Sequence, residues 1–168
     1  VISKDWSSKL AHLIYYEKKN GKPKKMSDTI AVNLGRSGLG WGSGIYNFNM
    51  SSGQIKHEGD GRSPAGIFKL SYAFGFLPAD SLNWLKYPYT QLTNKIECVD
   101  DTTSIYYNTI VDAGSVHKTW FSSEKMHEED VHYKYGIFVG HNSDMRIPGC
   151  GSCIFIHVWG GLGTPTSG

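Results

Sequence analysis

The apolar positions of this chain fall mostly into short runs. In Ile154 to Trp159 the alternation puts Ile154, Ile156 and Val158 on one face, and Phe155, His157 and Trp159 on the other. Residues 29–34 (TIAVNL), Ile67 to Phe74, the segment IECVDD and the segment YKYGIFVGHN are further runs of β-prone residues, bounded by Gly, Pro, Asn or Asp. One stretch carries a helical period: Trp6, Leu10, Leu13 and Ile14 stand at i, i+4, i+7 and i+8, with Ser7 or Ser8 as a cap. The pattern predicts an amphipathic helix over residues 5–16, although Ile14-Tyr15-Tyr16 also suits a strand. Residues 100–130 are polar and aromatic and read as a long loop with a helical turn near Ser122–Glu129. No repeat or linker interrupts the chain. The pattern predicts a mainly β single domain, a curved or barrel-like sheet with small helices.

Composition sharpens this picture. Glycine makes up 20 of 168 residues, about 12% against a usual value of roughly 7%, which suits strands joined by tight turns. The formal net charge is +2, which gives no electrostatic case for nucleic acid. The basic run Lys18, Lys19, Lys22, Lys24, Lys25 reads as a solvated loop. No apolar run reaches the roughly 18 residues of a membrane span, and no signal peptide is visible. Three cysteines, Cys98, Cys150 and Cys153, form no dense framework, and compartment cannot be read from them.

Several residues carry candidate chemistry. His157 lies at the end of a strand, before the glycine-rich Gly160-Gly161-Leu162-Gly163, where a side chain reaches a cleft; strand context alone favours a packed, hydrogen-bonded histidine. The small residues Thr166, Ser167 and Gly168 would leave backbone N–H groups free to bind an oxyanion, or form a plain surface turn. Cys150-Gly-Ser-Cys153 has the spacing of a redox pair or half a zinc site, but it runs into a β segment, where the two side chains are turned apart; the two thiols are expected not to bond to each other. His12, His57, His117, His127, His132 and His141 show no metal-binding spacing. The segment GRSGLGWGSG lacks the Lys-Ser/Thr ending of a phosphate loop. Asp100 and Asp101 face opposite ways in a strand and read as loop anchors.

The blocks GRSGLGWG, HEGDGRSPAGIFKL, CVDD with YYN, SSEKMH, YGIFVGHN and GSCIFIHVWGGLGTPTSG together resemble the YkuD-like catalytic domain of bacterial L,D-transpeptidases, in its compact exported subgroup, from about residue 29 to the end. Ser63 stands where that family more often has Thr. The resemblance implies a boundary between an N-terminal extension, 1–28, and a catalytic domain, 29–168. It matches His157 to the family histidine and Thr166, Ser167 and Gly168 to the Ser/Thr-x-Gly that precedes the catalytic cysteine. That cysteine would follow Gly168, and none of the three cysteines present matches it. The 168-residue chain is therefore expected to fold and to be catalytically silent. The implied chemistry is acyl transfer through a thioester on peptidoglycan stem peptides, in the periplasm or at the cell wall, with no metal or cofactor. Asp100, Tyr107, His127 and Trp159 are the expected substrate contacts. Two other classes stay open: a wall-binding module without catalysis, and a thiol redox protein using Cys150 and Cys153.

Overall fold

A computed structural model describes residues 1–46, 54–127 and 131–168. The described residues form fourteen short strands: β1 (Ile2–Ser3), β2 (Leu10–Leu13), β3 (Tyr16–Lys19), β4 (Lys22–Lys25), β5 (Ile30–Asn33), β6 (Leu39–Trp41), β7 (Ser63–Ala65), β8 (Leu70–Gly75), β9 (Tyr89–Gln91), β10 (Ile96–Val99), β11 (Thr109–Asp112), β12 (Ser123–Lys125), β13 (Tyr135–Val139) and β14 (Phe155–His157). The only helical pieces among the described residues are two 3₁₀ turns, Ala79–Ser81 and Val131–Lys134. The fold is mainly β, as the pattern predicts. The strands form several sheets, and none closes into a barrel among the described residues.

Two sheets build the core. One has the order β14-β13-β8-β9, with β8 and β9 parallel and the remaining pairs antiparallel; the other has the order β11-β10-β12 and is wholly antiparallel. Phe74 of β8 and Phe138 of β13 meet Cys98 of β10, together with Leu92 and Met126, and Phe155 of β14 packs against this cluster. Strand β10 shows why period-2 alternation succeeds here. Ile96 and Cys98 point into this core, while Glu97 and Val99 serve the opposite face, where Val99, Val111 and Trp120 form a second cluster. Burial pushes the Glu97 carboxyl up, but hydrogen bonds from Lys125, Ser123 and Trp120 together outweigh it and hold its pKa down at about 2.

Residues 5–16 are not helical. Asp5 accepts hydrogen bonds from the Ser7 N–H and from the Ser7 and Ser8 hydroxyls, closing a turn in place of a cap. Leu10–Leu13 then pair with Asn33–Ile30 in the sheet β1-β2-β5, which ties the segment before residue 29 to the rest of the domain. The helical spacing was coincidental: of this stretch only Ala11 is fully buried, and Trp6 lies edge-on against Trp41. The lysine run is a correction too. It forms the ordered hairpin β3–β4, closed at Asn20-Gly21 with both residues at positive φ (50° and 78°), the conformation a tight two-residue hairpin turn requires. Ser123–Lys125, expected near a helical turn, pairs with β10 instead; Glu128 and Glu129 of that expectation lie outside the described residues.

Cys153 is bonded to Cys98, and Cys150 is a free thiol. Cys150 and Cys153 are thus not joined to each other, as expected, but the pairing across the core was not foreseen. The bond links the two core sheets across 55 positions of sequence. A loop of that length corresponds to about 4 kcal/mol of lost chain entropy in the unfolded state. Unfolded, unreduced protein should therefore titrate one thiol and reduced protein three. Replacing Cys98 and Cys153 by Ser should lower the unfolding free energy by about 4 kcal/mol in a urea titration. Three reactive thiols without reductant, or an unchanged midpoint, would rule the bond out.

Candidate functional site

Strand β14 is three residues long and lies at the sheet edge, so the chain before it must set its position. Residues 147–153 contain no strand, yet several of their backbone groups are bonded by side chains. The Asn142 amide donates to the carbonyls of Ile147 (2.9 Å) and Gly151 (3.1 Å), and its oxygen accepts from the Ile147 N–H. The His141 ring meets the Cys150 carbonyl through Nε2 at 2.8 Å. Asn108 accepts from the Cys153 N–H and donates to the His141 carbonyl, both at 2.9 Å. Asn108, His141 and Asn142 are all buried. Tyr107, only 2% exposed, gives its hydroxyl to Glu58, whose own N–H bonds the Gly149 carbonyl. The YYN and GHN segments are thus the clamp that aims β14.

His157 ends that strand on the face that carries Phe155. Its ring packs edge-on against Tyr133 (5.4 Å between centroids, planes at 72°) and near His132 (6.0 Å). Its Nδ1 lies 2.8 Å from the Val158 carbonyl oxygen. A carbonyl can only accept, so Nδ1 carries the proton and Nε2 keeps its lone pair in the neutral ring, the tautomer a general base needs. Beside it, the opposite face of the sheet forms an open apolar groove of about 410 Å³. Leu82, Trp84 and Tyr89 line it together with Ile137, Ile156 and Val158, and His157 sits in its wall.

After His157 the chain turns back across the domain and is pinned. The Asn33 side chain donates to the Gly161 carbonyl (2.8 Å) and accepts from the Gly163 N–H (2.9 Å). The Thr166 hydroxyl donates to the Leu34 carbonyl (2.8 Å), and the Arg36 N–H donates to the Thr166 carbonyl (2.9 Å). Gly168 has φ +100°, and a Cβ there would strike the Arg62 backbone. The Arg62 segment is itself shaped by Asp60, which accepts from the N–H groups of His57 and Arg62 and pairs with the buried Lys56 at 2.7 Å. Three glycine-rich blocks distant in sequence, 35–42, 57–65 and 160–168, therefore meet at one place, next to Asn33 and Leu34.

The other expected contacts are scattered. Trp159 is exposed. The exposed His127 stacks obliquely on Phe76 at 5.1 Å. Asp100 is half-buried, with Oδ1 unpartnered, while Asp101 does the anchoring, accepting from Thr103 and from the Phe121 N–H. Among the described residues, none of Asp100, Tyr107, His127 and Trp159 lines the apolar groove. With Cys153 held by Cys98, the Cys150/Cys153 dithiol of the redox alternative does not exist. No group of three or more His, Cys, Asp or Glu among the described residues is placed to hold a metal ion. The segments YYN and YGIFVGHN stand out in the sequence, but the parts played by Asn108, His141 and Asn142 do not; their only local signal is that they are polar residues ending or following β runs. No family model, curated protein or solved structure matches the chain.

His141 is the titratable group most exposed to change in this clamp. Burial lowers its pKa below the ordinary 6.5, and nearby Lys56 adds to that; the Cys150 and Ser43 backbone groups and Asp60 oppose. The unfolded chain then binds the proton more readily than the folded one. This contribution to stability is present above about pH 6.5 and is lost as pH falls below it. His141→Gln keeps an N–H donor and cannot titrate, so it should flatten the acid limb of stability between pH 7 and 5. Equal pH slopes in urea titrations of the two proteins would refute this.

Proposed function

We propose that this domain performs cysteine-dependent acyl transfer on peptidoglycan stem peptides, as an L,D-transpeptidase or L,D-carboxypeptidase. The observation that carries this reading is the convergence of the three glycine-rich blocks around the pinned end of the chain. These are blocks on which the family resemblance rests, and the last of them holds the Thr166-Ser167-Gly168 that would present the nucleophile. The histidine tautomer supports it independently: with Nδ1 protonated toward Val158, the Nε2 lone pair is the one available to a thiol. The buried disulfide favours an oxidising compartment, in keeping with an exported enzyme.

His157 opens the reaction by taking the proton of the cysteine that the resemblance places after Gly168, giving a thiolate–imidazolium pair. The thiolate attacks the carbonyl between the stem's diamino acid and its terminal D-alanine. Backbone N–H groups at the Ser167–Gly168 turn and at the cysteine hold the oxyanion. As the C–N bond breaks, His157 protonates the leaving D-alanine amine and a thioester remains. A second stem's amine, or water, then attacks that thioester, losing its proton to His157 and returning the thiolate.

A carbapenem is a suitable probe, because its strained ring amide opens to a stable thioester. Mass spectrometry should show one adduct on a chain extended by its natural next residues and none on residues 1–168. His157→Gln in the extended chain should slow adduct formation by at least 100-fold. Gly168→Ala should do the same while leaving the melting curve intact, because the new methyl displaces only the pinned tail from Arg62. An adduct on Cys98, Cys150 or Cys153 would sink the assignment, as would full reactivity in either variant.

A further inference from the structure

The β3–β4 hairpin has no part in the proposed chemistry. It continues the β2–β5 ribbon outward through the Met26 N–H to Tyr15 carbonyl bond, and among the described residues neither strand packs against any other element. A two-stranded hairpin without a core is marginal in water. This one also concentrates charge. Residues 15–25 carry five lysines and one glutamate, a formal +4, whereas the whole chain carries +2, so the remainder is net acidic. All five lysines are exposed. Lys19 and Lys22 stand directly opposite each other in the ladder, an arrangement that costs stability. Glu17 relieves it in part, facing Lys24 across the ladder and lying 3.5 Å from Lys19.

We infer that this hairpin is a docking finger for a flexible, phosphate-bearing polyanion. Lysine ammonium groups are mobile point charges with three donors each, suited to phosphate oxygens in no fixed geometry. The register puts Lys18 and Lys25 on one face and Lys19, Lys22 and Lys24 on the other. A flat membrane can touch only one face of a ribbon at a time, whereas a flexible polymer wraps both. The tip, Asn20-Gly21, is polar and offers nothing to insert into lipid. Binding at such a finger is electrostatic and steeply salt-dependent.

The test uses linear inorganic polyphosphate and, separately, vesicles rich in anionic phospholipid. The 168-residue protein should bind polyphosphate at 50 mM salt and weaken on the order of 100-fold by 200 mM, the slope expected if all five lysines neutralise phosphates on a single-stranded polymer. Replacing all five lysines (Lys18→Gln, Lys19→Gln, Lys22→Gln, Lys24→Gln, Lys25→Gln) should cost at least 10-fold in affinity at 50 mM salt without shifting the melting curve, since the arm contributes no core. Glu17→Gln, which removes the arm's single anion, should tighten binding several-fold and keeps the test decisive if the five-site variant folds poorly. Absence of binding at 50 mM salt, unchanged affinity in a folded five-site variant, or preference for vesicles over the polymer at equal charge would each overturn the inference.

Discussion

The aim of strand β14 and of the histidine that ends it depends on where residue 153 is held. Cys153 is fixed in two directions at once: its sulfur is bonded to Cys98 at the centre of the opposing sheet, and its N–H is given to Asn108. Its backbone adopts φ +54°, which a non-glycine residue accepts only under such constraint. Two residues later β14 begins, and two after that it ends at His157. A three-residue edge strand has little register strength of its own. The position of the His157 ring is therefore inherited from the disulfide, from Asn108 and from the surrounding loop bonds.

That dependence explains which parts of the molecule were legible in the sequence. Strands β8, β10, β13 and β14 lie in apolar or alternating runs, because one face of each packs into the core and burial enforces the period, whereas β5, also marked by an apolar run, is at most half-buried. The hairpin β3–β4 buries nothing, so no hydrophobic period marks it, and only Asn20-Gly21 signalled a turn. The stretch 5–16 misled for the opposite reason: its apolar side chains fit a helical stripe, but Trp6, Leu10 and Tyr15 remain substantially exposed. Long-range ladder pairing with β5 outweighed that weak local preference. The Cys98–Cys153 bond was invisible because spacing alone cannot pair cysteines 55 positions apart. His157 and the tail could be picked out locally, as a polar residue ending an apolar run and a cluster of small residues after it. The clamp of Asn108, His141 and Asn142 could not, because its meaning lies in backbone groups far away in sequence.

The clamp also shows how polar burial is used here. Asn108, His141 and Asn142 are enclosed, and leaving such groups unpaired would cost on the order of 1–3 kcal/mol each. Each is instead matched to backbone groups of a segment that no strand could satisfy. The His141 Nδ1 atom is left without a partner, and protonation there would bring a charge beside the buried Lys56. The arrangement thus selects a neutral imidazole as a structural donor at position 141. At position 157 the same side-chain type is held with one nitrogen committed to a carbonyl and the ring packed at the margin of the core.

The alternation of β14 connects these two levels. Phe155 and His157 share a face, so the aromatic cluster of Phe74, Tyr133 and Phe138 that receives Phe155 continues outward to the His157 ring, with Tyr133 touching both. Ile156 points the other way, into the apolar groove. A side chain with only two rotatable bonds, packed edge-on against an aromatic neighbour and hydrogen-bonded through Nδ1, has few orientations left. Core packing on one face of the strand therefore limits where Nε2 can point. His157 and Phe74 also line the groove, so a change in the shape of the groove reaches the same ring whose orientation the core packing limits.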